Sequence, residues 1–357
     1  YEEVKHIFFL ELYIPIYLNK MDLTILIPCY NNALYLEDAL NSLKDSRSLD
    51  SQSFKIIAIN DGSKDNSLDI LKKFIKIMPN LSIIDKENSG YGDSLNIALR
   101  QVKTKYVGIL EPDDLAFVNG FATLLSAAEK HDLDICRGYY ISFNQKKEWN
   151  CKKSWIPNDK IFSSKEVLEV FIGGPSIWCA IYKTDFLKKN QIEFLTTPGA
   201  SFQDTSFAFK CYLKASKIMF IDTPIIRYRT DNANSSVNSK EKVDFLCKEW
   251  AEIIRYFEKY GSNSIRIKKA LPILQNGSYQ WNLDRLDSDH KKDFVFLWSC
   301  EIKKFIKDGY VSWKWTPIQL WFKFFLLAKF PTLFYYLHKN LNFQTHPSSL
   351  KKISISS

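Results

Sequence analysis

Tyr106-Val107-Gly108-Ile109-Leu110-Glu111-Pro112-Asp113-Asp114 is a short apolar run that stops abruptly in three carboxylates. The apolar part has the length and composition of a strand buried on both faces. Pro112 cannot continue a central strand, so Glu111, Asp113 and Asp114 are expected where that strand breaks, at the carboxyl end of a sheet. Open α/β sheets bind ligands at that edge. Carboxylates gathered there repel one another unless something positive joins them, and a divalent cation carrying phosphates is the usual partner. Standing alone, the segment also reads as an acidic turn that binds nothing.

Working outward, the same alternation recurs. Strands are expected over Leu23 to Pro28, Phe54 to Ile59, Leu81 to Asp85 and Tyr106 to Leu110, with helices between them. The first helix carries Leu36, Leu40 and Leu43 on one face, the second Leu68, Leu71 and Ile75, and the third runs from Ser94 to about Lys103. Strands and helices alternating every 25–30 residues define βαβ units, hence an α/β fold with a mostly parallel sheet flanked by helices. After residue 121 the pattern loosens. It predicts a helix (Phe121 to His131), a strand (Asp134 to Phe143), a basic stretch near 145–160, a helix (Ser164 to Ile172), a Gly173-Gly174-Pro175 break and a strand around Trp178 to Tyr182. Beyond Val237 the signal is helical, over Val243 to Tyr260, Ile265 to Trp281 and Lys291 to Ile306. The expected organisation is an N-terminal extension over 1–21, an α/β domain over 22–240 and a helical, basic region over 241–357.

The chain of 357 residues is long enough for a substantial core. Its seven cysteines form no CxxC pair and no zinc-like spacing, and thiols in a reducing cytoplasm suit them better than a disulfide framework. No run of eighteen apolar residues is present. Positive charge is unevenly spread: residues 241–357 hold 19 Lys and Arg against 11 Asp and Glu, residues 1–240 hold 30 against 29, and no acidic residue follows Asp308. The two parts are therefore expected to meet different partners.

Four loops should line one crevice at the carboxyl edge: Pro28-Cys29-Tyr30-Asn31, Asp61-Gly62-Ser63, Asn88 to Asp93 and Glu111 to Asp114. Asp61 can accept hydrogen bonds from a base or ribose, Tyr30 offers a stacking face, and Gly90 and Gly92 permit close backbone approach to a ligand. No Walker A motif or GxGxxG follows the first strand, which argues against a phosphate-loop NTPase or a dinucleotide enzyme.

Ile25-Leu26-Ile27-Pro28-Cys29-Tyr30-Asn31, Asn60-Asp61-Gly62-Ser63-Lys64-Asp65 and Glu111-Pro112-Asp113-Asp114, in this order and spacing, resemble the family 2 glycosyltransferases of bacterial surface-polysaccharide type. The resemblance spans residues 22–115 and continues more weakly to about 236. It implies a GT-A fold, a nucleotide-sugar donor (with UDP the expected nucleotide), Mg²⁺ or Mn²⁺, and inversion at the anomeric carbon. It places Pro28, Tyr30, Asn31, Asp61, Gly90, Asn96 and Asp113 at the donor, and Glu111, Asp113 and Asp114 at the metal. Glu111 stands where the family has its first Asp, and Leu95 stands where it often has an Arg, which puts one phosphate contact in doubt.

Gln203-Asp204 resembles the family's Glu-Asp segment, which makes Asp204 the general base for the acceptor hydroxyl. Asp204 before Thr-Ser-Phe-Ala-Phe equally fits a helix start. Tyr228-Arg229-Thr230-Asp231 resembles a later segment whose histidine can bind metal, so Asp231 is either a ligand or a loop residue. Trp178 either stacks on an acceptor sugar or sits in the core. Between 309 and 345, Trp313, Trp315, Trp321, Phe322, Phe324 and Phe325 interleave with Lys314, Lys323 and Lys329. That mixture suits a helix lying on an anionic membrane surface, which would hold the enzyme at the inner face of the cell membrane, or else aromatics packed on the catalytic domain with lysines in water. No nucleic-acid module is recognisable. The expected activity is inverting sugar transfer to a saccharide or lipid-linked acceptor. The alternatives are a non-catalytic saccharide-binding scaffold, or a sugar nucleotidyltransferase lacking its usual Gly-rich loop.

Overall fold

The computed structural model describes residues 22–44, 54–233, 235, 240, 242–338, 347–350 and 353. The expected extension over 1–21 lies outside the described residues. The first part alternates β1 (Leu23–Cys29), α1 (Ala33–Lys44), β2 (Phe54–Asp61), α2 (Ser67–Ile75), β3 (Leu81–Lys86), α3 (Tyr91–Gln101) and β4 (Tyr106–Ile109). β1 to β4 pair in parallel in the order β3-β2-β1-β4. All seven residues of β1 are buried, as a strand covered on both faces requires. On α1 the buried residues are Leu36, Ala39, Leu40 and Leu43, one helical stripe.

The next elements are β5 (Leu115–Ala116), α4 (Gly120–His131), β6 (Ile135–Phe143), β7 (Glu148–Asn150), β8 (Ile161–Phe162), β9 (Ala180–Lys183), α5 (Thr184–Lys189), α6 (Gln203–Lys214) and β10 (Ile218–Arg229). β9 runs antiparallel between β4 and β6, and β6 pairs in parallel with β10. The carboxyl ends of β1, β2, β4, β6 and β10 therefore lie along one sheet edge.

Two expectations change here. Residues 164–172 form only a short 3₁₀ turn, Leu168–Phe171. Ser163 donates its backbone N–H (2.8 Å) and its hydroxyl (2.8 Å) to Glu166, closing a local turn, and Ile172 is already extended before Gly173. Trp178 belongs to a 3₁₀ turn before β9 rather than to the strand, and it is buried, stacked on Tyr228 (5.0 Å between centroids) with Tyr140 against its edge (4.7 Å). The acceptor-stacking expectation for Trp178 gives way to a core role.

α7 (Phe245–Tyr260), α8 (Ile265–Arg285), α9 (Ser288–Lys307), α10 (Ile318–Lys329) and α11 (Pro331–Leu337) enclose a second cluster of buried side chains, which also takes in Leu168, Ile172 and Phe209. Shared residues of this kind weld the helices to the sheet. In α10 the expectation of aromatics packed inward with lysines in water is overturned at Lys323. Phe324 is buried, while Ile318, Phe322 and Phe325 face outward, followed by Phe330, Leu333 and Tyr336. Lys323 points inward, donating to Gln280 Oε1 (2.8 Å) over the Trp298 ring. Among the described residues no helix is long and apolar enough to cross a membrane.

Candidate active site

The first two loops at the carboxyl edge are stapled together before any ligand is considered. Asn31, in the left-handed region at φ 55°, receives on its Oδ1 the Lys64 N–H (2.8 Å) and donates its own N–H to Ser63 Oγ (3.1 Å). Asp65 accepts the N–H groups of Ala33 (2.9 Å) and Ser67 (3.0 Å), and hydrogen bonding outweighs burial to hold its carboxyl below the usual range. Tyr30 projects from this platform, about half exposed. Pro28 is buried at the end of β1.

Asp61 is the hub of the third loop. Its Oδ1 accepts the Ser89 N–H (2.9 Å) and the Lys86 ammonium, and its Oδ2 accepts the Gly90 N–H (2.9 Å). A carboxylate has about four acceptor sites, so three protein donors leave room for one from a ligand. The glycines do something other than expected: the backbone they admit is the protein's own. A Cβ on Gly90 would stand 3.0 Å from Gly199 N, and one on Gly92 would stand 2.1 Å from the Leu195 carbonyl. Asn96, expected at the donor, exchanges both hydrogen bonds with the backbone of Phe194 (2.9 and 2.8 Å). Both features press the start of α3 against residues 194–199.

The acidic segment is held from the other side by the end of β10. Arg229 donates its N–H to Asp114 Oδ1 (2.8 Å) and its Nε–H to the Asp113 carbonyl (2.9 Å). Asn232, which sequence reasoning did not single out, donates to Asp113 Oδ2 (2.7 Å). Asp114 is fully buried, its Oδ2 without a protein partner, and burial pushes its carboxyl upward. Asp231 turns away, accepting the Gln145 N–H (3.1 Å) and lying 4.0 Å from the Arg229 guanidinium. The expected group of four carboxylates is thus not assembled: among the described residues no three His, Cys, Asp or Glu side chains converge as a ready-made cage. Backbone capping claims one oxygen of Asp114 and the 145 loop claims Asp231, which leaves Glu111, bonded to Tyr91, and Asp113, bonded to Asn232, as the remaining pair.

Glu111 accepts the Tyr91 hydroxyl (2.6 Å). Burial, the largest influence, pushes its carboxyl up to about 8 against that hydrogen bond, and Asp113 and Asp204 add to the rise. Asp204 is therefore a neighbour of the acidic segment. It lies in the first turn of α6, its carboxyl raised by burial to about 6 against hydrogen bonds from Thr205 and its own backbone. Behind it, Glu249 of α7 accepts the Ser206 N–H (3.1 Å), with Oε1 buried and unpartnered. Burial pushes Glu249 up to about 8, bonds from Ser206 oppose the rise and Asp204 adds to it. Sequence reasoning missed Glu249, although its place in the apolar stripe Leu246, Trp250, Ile253 and Phe257 is a signal: a lone carboxyl on a core face.

A doubly wound sheet whose carboxyl edge gathers an Asp-organised loop, a Glu-Pro-Asp-Asp segment and a raised carboxyl on a following helix defines a GT-A-like transferase fold. Residues 24–190 match the model of glycosyl transferase family 2. The glycosyltransferase YibD of Escherichia coli (strain K12) is 24% identical over 259 residues, 68% of this chain and 71% of its own. A poly(ribitol-phosphate) β-glucosyltransferase of Bacillus spizizenii is 29% identical over 201 residues, 56% of this chain and 30% of its own. Among solved structures, residues 1–349 of S. aureus TarS in complex with UDP superpose with a TM-score of 0.68 at 16% identity, covering 90% of this chain and 92% of that one.

Proposed function

We propose that this glycosyltransferase moves a sugar, with inversion, from a UDP-linked donor to a hydroxyl of a saccharide or lipid-linked acceptor in surface polysaccharide synthesis. The observation that carries the reading is the meeting of Asp204 with Glu111 at one sheet edge: Asp204 adds to the rise of the Glu111 carboxyl, and both act on the Tyr91 hydroxyl that bonds Glu111. Burial raises the Asp204 carboxyl only to about 6, which leaves it ionised at neutral pH, as a base requires. It takes the acceptor's proton while the acceptor oxygen bonds to the anomeric carbon, and the bond from that carbon to the diphosphate breaks on the opposite face. Asp61, Tyr30, Asn31, Gly90 and Pro28 form the donor side. Asn96 serves it at one remove by fixing the start of α3. TarS on the same fold holds UDP and, in another crystal, UDP-GlcNAc, which makes UDP the nucleotide to test first.

The donor set also suits a hard cation. Glu111 and Asp113 offer oxygen ligands and mutual repulsion, and Asp114 keeps a buried, unpartnered oxygen behind them. Mg²⁺ or Mn²⁺ held by Asp113 and Glu111 would supply positive charge to the departing diphosphate. Asp231 could join only if its loop turned.

Residues 22–240 serve as the catalytic unit and 241–357 as a buttress and anchor. The outward stripe Ile318, Phe322 and Phe325, continued by Phe330, Leu333 and Tyr336, supports contact with an anionic inner-leaflet surface, the site of lipid-linked acceptors. The test of the main reading is thermal stabilisation by a panel of nucleotide sugars, with and without Mg²⁺ or Mn²⁺, followed by transfer assays on the hits. A full panel without stabilisation or turnover would refute it.

A further inference from the structure

Lys86, the last residue of β3, spends its whole ammonium on one loop. It donates to Asp61 Oδ1, to the Glu87 carbonyl (2.9 Å) and to Ser89 Oγ (2.5 Å). An ammonium has three donors, so none is left for a ligand. Ser89 Oγ donates onward to Asp93 in the first turn of α3, which ties the lysine to the helix start. The pair is largely shielded from water, with the Lys86 side chain 14% and the Asp61 side chain 6% exposed. Asp61 Oδ1 takes a second donor, the Ser89 N–H (2.9 Å), while Oδ2 takes the Gly90 N–H (2.9 Å). With two acceptor sites on each oxygen, Oδ1 is filled and Oδ2 keeps one.

A single open acceptor limits what the carboxylate can read. Asn31 bonds to Ser63 and Lys64, which joins the loop carrying the half-exposed Tyr30 to the loop that follows Asp61. Ring and carboxylate thus belong to one platform, and a flat aromatic face suits a nucleobase. A ribose diol presents two hydroxyl donors and is best met by two open oxygens. The imide edge of uracil or thymine presents one N–H between two carbonyls and needs one. Guanine presents a ring N–H and an amino group side by side, which a carboxylate open on both oxygens accepts as a pair. Cytosine turns a ring-nitrogen lone pair toward the carboxylate, which repels it.

Resting on the nucleotide-sugar reading above, we propose that Lys86 is a positioning residue that sets base selection: by filling Asp61 Oδ1 it closes the second acceptor that guanine requires and leaves a site for a base with one N–H. The guanine amino group would meet an oxygen already taken by Lys86 and the Ser89 N–H. A donor buried without an acceptor weakens binding. Lys86 acts through Asp61 and does not itself bond the base.

The test is isothermal titration of the full chain with UDP, GDP and inosine diphosphate, which is GDP without its amino group. The two purines share their size and ring N–H, so the difference between them isolates that group and needs no variant to fold. UDP should bind tightest, and inosine diphosphate about tenfold more tightly than GDP. Lys86→Met keeps the length of the stem and opens Oδ1, so it should erase or reverse the difference between the purines. Lys86→Arg can still fill Oδ1 and should keep it. A loop that had only lost its order would bind all three nucleotides more weakly and leave the purine ratio where it was. Should the wild type bind neither purine measurably, GDP binding must appear in Lys86→Met. Equal binding of the purines by the wild type, an unchanged ratio in Lys86→Met, or no gain of GDP there, each with UDP still bound, overturns the role of Lys86 and leaves the donor reading standing. Absence of binding by all three nucleotides overturns the donor reading itself, and this inference with it.

Discussion

Glu249→Gln isolates a buried carboxyl that sits behind the candidate base. Glu249 is fully buried, accepts the Ser206 N–H (3.1 Å), and faces Asp204, which raises it, and Lys210, which lowers it. Its folded value of about 8 lies above the ordinary 4.5. A raised folded value means that the folded protein holds the proton more tightly than the unfolded chain. The associated stability is fully present below about 4.5 and is lost as pH rises through about 8. At 1.36 kcal/mol per unit, this group alone should cost about 3 kcal/mol between pH 5 and pH 8. Glutamine keeps the shape and cannot ionise, so the variant should lack this slope. Thermal and denaturant unfolding of both proteins at pH 5, 6, 7 and 8 gives the comparison. The difference in stability should move by about 3 kcal/mol in favour of the variant as pH rises. Parallel pH profiles for the two proteins would refute the reasoning, because they would mean that Glu249 ionises in the folded state as easily as in the unfolded one.

Asp204→Asn should lower kcat by about 10²- to 10⁴-fold with donor-induced stabilisation retained, and the wild-type rate should fall below about pH 6 as the base protonates; a variant with wild-type turnover removes Asp204 from the chemistry. Asp113→Ala should abolish the metal-dependent part of donor stabilisation, read by melting with and without Mn²⁺. Gly92→Ala drives a Cβ to within 2.1 Å of the Leu195 carbonyl, backbone that cannot rotate aside, and should destabilise by about 3 kcal/mol in urea unfolding. Phe322→Asp with Phe325→Asp should reduce sedimentation with anionic vesicles and leave melting unchanged, since both side chains face outward.

The sheet was legible because its strands are continuous apolar runs ended by turn chemistry. β1, β2 and β4 were expected to within two residues of where they lie. β10 was not singled out, and Pro224 is the reason: it falls mid-strand where the pairing with β6 shifts register twice, a bulged strand that sequence rules demote. The expected helix over 164–172 failed for the opposite cause. Its periodicity was sound, but Glu166 is spent closing the turn at Ser163, and a Gly-Gly-Pro break follows before a second helical turn can form.

The site was legible as a set of residue types and less so as a set of partners. Asp61, Glu111, Asp113 and Asp204 stand on elements that the fold brings to one edge. The hydrogen bonds that decide what each is free to do join positions about 30 to 120 apart: Asp61 to Gly90, Asp113 to Asn232, Asp114 to Arg229. Such pairings carry no local signal: the bonds of Asn96 go to the backbone of Phe194, and Gly90 gives its N–H to Asp61 while packing against Gly199. What remains detectable in sequence is the exception within a pattern. Glu249 breaks the apolar stripe of α7, and Lys323 breaks that of α10 among Leu320, Phe324 and Leu327. A buried charge is costly unless something holds it. One of these two exceptions braces the helix that carries the candidate base. The other locks α10 in a rotation that sends Phe322 and Phe325 outward, so the same inward lysine that interrupts the tail's apolar run fixes which of its aromatics can meet a membrane.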